Sequence, residues 1–212
     1  MKTAYLGIDL LKPVLDALLE EGVQVLKLFT CPVDNVTEFN TAVIRAAEER
    51  GIPHTLERIT AADLEALAAQ GCELLVCAGY YYRAPVTDAF PMVNFHPTPL
   101  PVGRGSWPMP RLILEGAAYG GVTAHKMAAD FDTGDILLRE RFPLGPREDH
   151  QTYMEKVYES TDEAGFRVVT WYNAGVRNFY AKTPIHTPDD LKGKKIRVQQ
   201  SPASVAMVNA FG

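Results

Sequence analysis

Residues 60–79 read TAADLEALAAQGCELLVCAG. Thr60 offers a hydroxyl to cap a helix. AADLEALAAQG is helix-forming and stops at a glycine, a common helix terminator. CELLVCAG follows as an apolar run without alternation. A strand that is apolar on both sides of its pleat is covered on both faces, as strands of parallel sheets are.

The upstream sequence repeats this unit. TAYLGI (3–8) reads as a strand. LKPVLDALLEEG (11–22) places Leu11, Val14, Leu15, Leu18 and Leu19 at helical spacing. VQVLKLFT (23–30) reads as a second strand, NTAVIRAAEERG (40–51) as a second helix and TLERI (55–59) as a weak strand. The alternation predicts an α/β fold with a mostly parallel sheet and helices on both faces. Ligands of such sheets sit beyond the carboxyl ends of the strands. The loops after Gly7, Thr30, Gly79 and His96 are therefore expected on one rim. Gly7 does not open a dinucleotide fingerprint: LGIDLLKP has no G-x-G-x-x-G, and Pro13 sits where a phosphate-cradling turn would enter its helix.

Composition narrows the partners. The 212 residues are 47% apolar and 22% charged with net charge −5, which is ordinary for a globular chain and argues against broad electrostatic binding to nucleic acid. No apolar run reaches membrane-spanning length. MKTAYLGIDLL meets Asp9 before an export signal's apolar core can build up. Cys31, Cys72 and Cys77 are odd in number and lack metal-ligand spacing, so no metal site and a reducing cytoplasm are expected.

From Met92 the pattern changes. MVNFH (92–96) is a short strand that runs into a proline ladder, NFHPTPLPVGRGSWP (94–108). WPMPRLILEG (107–116) is a helix with proline in its first turn, where the missing N–H is tolerated. GVTAHKM (121–127) and ILLRERFPL (136–144) read as strands joined by the acidic turn AADFDTGD (128–135). TYMEKVYESTDEA (152–164) reads as an exposed helix. Asn94 and His96 are two apart on one strand and share a face, and the prolines fix the chain as it leaves. Asp132 lies on the later turn. An amide, an imidazole and a carboxylate on one rim form a kit for acyl transfer: oxyanion donor, proton shuttle, and a group that orients the imidazole or takes a proton. The same residue types at strand ends also serve as caps and turn formers.

NFHPTPLPVGRGSWP, GVTAHKM and FDTGDIL together resemble the folate-dependent formyltransferase family, which includes glycinamide ribonucleotide, methionyl-tRNA and nucleotide-sugar formyltransferases. The resemblance covers about residues 1–157 and implies a Rossmann-like catalytic domain, taken as 1–160. It implies Asn94, His96 and Asp132 as catalytic residues and 10-formyltetrahydrofolate as formyl donor. The donor's contacts would be Cys77, Ala78, Gly79, Tyr80, Tyr81, Tyr82 and Arg83 on one loop, and Ala128, Ala129, Asp130, Phe131 and Thr133 on another. His125, sharing a strand face with Thr123, is a supporting candidate or a structural histidine. Arg104 and Gly105 are acceptor-side candidates, or Arg104 is a solvated turn residue. The expected acceptor is a primary amine on a small molecule: a nucleotide, a nucleotide sugar or an aminoacyl group. tRNA is not expected, because the family's carboxy-terminal acceptor-binding domain is replaced and the net charge is acidic.

The tail differs. GVRNFYAKTPIHTPDDLKGKKIRVQQSPASVAMVNAFG resembles a segment of the periplasmic solute-binding proteins of TRAP-type transporters, over about residues 165–212. In that family the arginine matching Arg197 grips a substrate carboxylate, as a guanidinium can. Two unrelated signatures imply a chimera joined between Tyr158 and Gly165, with 161–212 a partial solute-binding segment. The alternatives to an active enzyme are an inert chimera that keeps a folate-type pocket, and an organic-acid binder acting through the tail.

Overall fold

Seven strands lie side by side in the order β3-β2-β1-β4-β5-β6-β7 in the computed structural model, which describes residues 1–163. The elements along the chain are β1 (Lys2–Gly7), α1 (Lys12–Glu20), β2 (Gln24–Phe29), α2 (Thr41–Glu49), β3 (His54–Thr55), α3 (Ala61–Ala69), β4 (Leu74–Ala78), β5 (Met92–His96), α4 (Pro108–Leu114), β6 (Tyr119–Lys126), β7 (Ile136–Pro143) and α5 (His150–Glu163). The first five strands pair parallel, and β5–β6 and β6–β7 pair antiparallel. The α/β, mostly parallel architecture read from the sequence is the observed one.

The period-2 alternation of each strand splits the core into two layers. Tyr5, Leu28, Val76, Val93 and Val122 pack with Leu15 and Leu18 of α1, Val43 of α2, Met109 of α4 and Tyr153 and Val157 of α5. Ala4, Leu6, Phe29, Leu75 and Met92 pack with Leu64 and Leu67 of α3 on the other face. Burial of this apolar surface is the main favourable term holding the sheet together.

Thr60 caps α3 as expected: its hydroxyl accepts from the Asp63 N–H at 3.2 Å, and the Asp63 carboxylate accepts the Thr60 N–H at 3.0 Å. Asp9 caps α2 from a distance in sequence, accepting the N–H groups of Ala42 at 3.0 Å and Val43 at 2.8 Å. A protein carboxylate thus occupies the N-terminus of α2, the kind of place that can attract a ligand anion.

Two elements depart from the sequence reading. The weak strand expected at 55–59 shrinks to His54–Thr55. Ile59 is drawn into the core, and its N–H donates to the Tyr80 hydroxyl at 3.1 Å, so that segment leaves the sheet edge. The helix expected to be exposed, α5, is docked: Tyr153 and Val157 are fully buried. Tyr153 packs edge-on against Phe142 and its hydroxyl donates to the Pro97 carbonyl at 3.0 Å. Tyr153 and Val157 are four apart, one helical turn, and this narrow stripe was masked by the charged residues around it. Among the described residues no helix is long and apolar enough to cross a membrane. The three cysteines are free and buried. The readings placed on 164–212, Arg197 included, lie outside the described residues.

Candidate active site

Strand pairing assembles the site. β5 and β6 run antiparallel with Asn94 opposite His125 and His96 opposite Thr123, which puts the imidazole of one strand against the amide of the next. On the other side of β5, Cys77 is Asn94's partner. Asp132 comes from the β6–β7 connection in a left-handed conformation, φ 54°. Gly134 makes that turn possible. A Cβ there would lie 1.9 Å from the Lys126 carbonyl oxygen, so the chain passes too close for any side chain. The glycine of Asp-x-Gly is thus the price of bringing the carboxylate back over the sheet.

Asp132 is the hub. Its Oδ1 lies 3.5 Å from His96 Nδ1, 3.5 Å from His125 Nε2 and 3.4 Å from Asn94 Nδ2. Its Oδ2 accepts the Gly105 N–H at 2.9 Å. His96, His125 and Asp132 are all buried. Backbone carbonyls set the tautomers. His96 Nε2–H donates to the Gly103 carbonyl at 2.6 Å, leaving Nδ1 toward Asp132. His125 Nδ1–H donates to the Lys126 carbonyl at 2.8 Å, leaving Nε2 to accept from the Asn94 amide at 3.0 Å.

The electrostatics follow from this packing. Burial pushes the His96 pKa below its ordinary value, against the opposing pull of Asp132 and the Gly103 carbonyl. Burial is also the largest single influence on Asp132 and acts upward. The neighbouring His125, the charge of His96 and the Gly105 N–H together outweigh it and hold the carboxyl below its usual range. The site therefore keeps an ionised carboxylate beside an imidazole that is readily neutral.

These groups line a cleft of about 860 Å³, its open mouth included. One wall is the loop after β4, residues Gly79 to Arg83 with Cys77 at its base; another is Ala128 to Phe131. The tyrosines are held from outside. The Tyr80 hydroxyl meets the Ile59 N–H, Tyr81 donates its hydroxyl to Glu38, and Arg58 lies over the Tyr82 ring at 4.1 Å. Arg83 ties the two walls together through the Ala129 carbonyl and Asp130. Burial pushes the Cys77 thiol up to about 12, so it is a neutral part of the wall and a poor nucleophile. Two apolar-to-aromatic walls with a few polar groups at the base suit a flat heterocycle.

The structure thus brings Asn94, His96, His125, Asp132 and Gly105 together, with nearly all of the two expected wall loops. Four candidates fall elsewhere. Thr123 is fully buried: its hydroxyl donates to the Thr98 carbonyl at 2.7 Å and accepts the Leu100 N–H at 3.0 Å, so it anchors the proline ladder. Ala78 is buried in β4, Thr133 bonds back to the Asp130 carbonyl at 3.0 Å, and Arg104 is exposed on the loop outside the cleft lining. The sequence reading missed Ser106, Trp107 and Met127 as lining residues. Trp107 was visible in the quoted stretch but was absorbed into the helix start. Nothing in sequence tied Glu38 to Tyr81. Among the described residues no cluster of three or more His, Cys, Asp or Glu side chains could hold a metal ion.

Comparison with known proteins follows the same lines. Residues 11–169 match the formyl transferase family, and residues 147–212 match bacterial extracellular solute-binding protein, family 7. Over 157 residues the chain is 37% identical to a methionyl-tRNA formyltransferase of Paramagnetospirillum magneticum, covering 69% of this chain and 52% of the relative. A second such protein, from Halorhodospira halophila, is 36% identical over 149 residues and is covered to 48%. The chain thus spans about half the length of the curated relatives it matches. A further 65 residues, 30% of the chain, are 48% identical to the uncharacterized protein YiiZ of Salmonella typhimurium, 20% of which is covered. Among solved structures, phosphoribosylglycinamide formyltransferase from Streptococcus pneumoniae superposes with a TM-score of 0.61 at 22% identity, covering 77% of this chain and 93% of that one. A sugar N-formyltransferase from a Shewanella species gives 0.62 at 18% identity, covering 78% and 66%. At these identities the superpositions establish the shared fold.

The relatives named methionyl-tRNA formyltransferases overturn one expectation. The acidic net charge and the expected replacement of a carboxy-terminal domain argue against tRNA as a partner, yet proteins with that named substrate share more than a third of their residues with this chain over the matched region. Whole-chain charge is a poor guide to what a local cleft admits. With the match extending from α1 through the strands that carry Asn94, His96 and His125 and the turn that carries Asp132, the chain belongs to the formyl transferase family.

Proposed function

We propose that the cleft transfers a formyl group from a 10-formyltetrahydrofolate donor to a primary amine. The carrying observation is the convergence of Asn94, His96 and His125 on one oxygen of the buried Asp132. The Tyr80–Tyr82 loop and the 128–131 loop would hold the donor's flat ring between them. The Asn94 amide N–H, now shared between His125 and Asp132, is placed to turn toward the oxyanion that develops when an amine adds to the formyl carbon. His96, neutral at Nδ1, takes the proton from the attacking amine and passes it toward the departing nitrogen, and Asp132 stabilises the imidazolium between those events. No side-chain nucleophile is required, in keeping with the protonated Cys77.

The assay is formyl transfer from 10-formyltetrahydrofolate to methionyl-tRNA, amino sugars linked to nucleotides, and phosphoribosylglycinamide. Formylated product from at least one acceptor, lost in Asp132→Asn, supports the proposal. Absence of product with every amine, in a chain that still binds a folate analogue, supports instead the inert chimera that retains the pocket. The match of 147–212 to a solute-binding family favours a fused second segment. Calorimetric titration with dicarboxylates, wild type against Arg197→Ala, tests whether that segment binds an organic acid.

A further inference from the structure

One large aromatic side chain in the cleft wall is unused by this chemistry. Trp107 stands at the N-terminus of α4 with Pro108 behind it. It lines the same cleft as Asp132 but remains 48% exposed. The ring of His150, the first residue of α5, stacks on the indole with centroids 5.7 Å apart and planes 23° from parallel. The indole is thus fixed by two elements and yet keeps half its surface in water, a poor use of a tryptophan for packing alone. Gly105, on the same short segment, donates its N–H to Asp132, so the ring sits on the stretch of backbone that also braces the carboxylate. The aromatic groups of the Tyr80–Tyr82 loop and Phe131 belong to the loops assigned to the donor. Trp107 and His150 belong to neither.

We propose that Trp107, backed by His150, is a stacking platform for a nucleobase carried by the acceptor, so that the site favours amines attached to a nucleotide. This rests on the formyl-transfer function proposed above. A rigid indole at the mouth of a cleft presents a flat π-face that any base can stack on, whatever its hydrogen-bonding edge. The base belongs either to the terminal nucleotide of an aminoacyl-tRNA or to a free nucleotide conjugate such as a nucleotide sugar. These sources share the chemistry the platform reads.

The test compares kcat/KM for base-bearing acceptors with that for base-free amines of the same reacting group: methionyl-tRNA against methionine methyl ester, and a nucleotide-linked amino sugar against the amino sugar phosphate. In Trp107→Leu the ratio of base-bearing to base-free should fall about 5- to 150-fold, the span that base–aromatic stacking supplies. Trp107→Phe should restore most of it. Whichever pair shows the loss identifies the source of the base. A ratio unchanged in Trp107→Leu, both members of each pair falling together, assigns the tryptophan to packing and overturns the proposal. A binding measurement stands apart from turnover. The chain has two tryptophans, so Trp171→Phe leaves Trp107 as the only indole emitter. Saturable quenching by nucleoside 5′-monophosphates and not by ribose 5-phosphate is expected. No saturable quenching by any nucleotide, or quenching by a folate analogue alone, contradicts the platform. If no acceptor is formylated at all, the transfer function fails while the quenching result still decides the platform.

Discussion

The two halves of the sheet do different work. In the parallel half, β1 and β4 are buried along almost their entire length and helices pack on both faces. In the antiparallel half, β7 exposes most of its residues, with Leu138 left 48% accessible. The polar site lies at neither extreme. It sits at the seam, where β5 has a parallel neighbour on one side and an antiparallel one on the other. The parallel neighbour supplies an apolar floor in Cys77. The antiparallel neighbour supplies His125 directly across from Asn94, and its turn returns Asp132 above both. The parallel half is covered on both faces, and the candidate site lies where it meets the antiparallel strands, of which β6 is buried and β7 largely exposed.

The largest expected effect separates these roles. His96→Ala at the seam should lower formyl-transfer turnover by about 10²- to 10⁴-fold, with a thermal midpoint close to wild type. A collapse of the fold instead would show that the seam carries structure as well as chemistry.

Next in size is the contrast within the sheet. Leu75→Ala, in the fully buried β4, should lose about 2–5 kcal/mol in denaturant unfolding, whereas Leu138→Ala in β7 should stay within about 0.5 kcal/mol. Equal losses at the two positions would erase the distinction between the halves.

The pH dependence sharpens the seam itself. Burial depresses the His96 pKa below the ordinary 6.5, so the unfolded chain takes up this proton first. The contribution of neutral His96 to stability is therefore complete above 6.5 and is lost as pH falls from there through the depressed value. Asp132, also depressed, contributes above 3.8 and loses that contribution only under stronger acid. The acid limb of kcat/KM should accordingly lie below 6.5, and between pH 7.5 and 5.5 wild type should lose more stability than His96→Gln. An acid limb above 6.5 would mean that His96 works as a charged group. The smallest effect belongs to the parallel half's periphery: Thr60→Ala should remove its share of the α3 capping box at about 1 kcal/mol in the same denaturant titration.

Much of this was legible in the residues. The doubly apolar CELLVCAG and its capped helix specify the parallel sheet, and Asn94 and His96 at strand spacing specify a shared face. Those signals are local and periodic, so one sequence carries them. Contacts formed only by tertiary folding were hidden. Thr123 looked like a companion of His125, but β5–β6 register sends its hydroxyl to the proline ladder. The α5 stripe was too narrow to stand out, and of the paired candidates Arg104 and Gly105 it is Gly105 that lines the cleft, its backbone N–H given to Asp132. The partner inference failed for a related reason: net charge averages over a surface, whereas an acceptor meets only one cleft.

The most direct test is a double-mutant cycle on formyl transfer with His96→Ala, Asp132→Ala and the pair together. If the two side chains act through one another across 3.5 Å, the double variant should be about as slow as the slower single. Losses that multiply, or singles that keep wild-type turnover, would contradict a site built around a shared carboxylate.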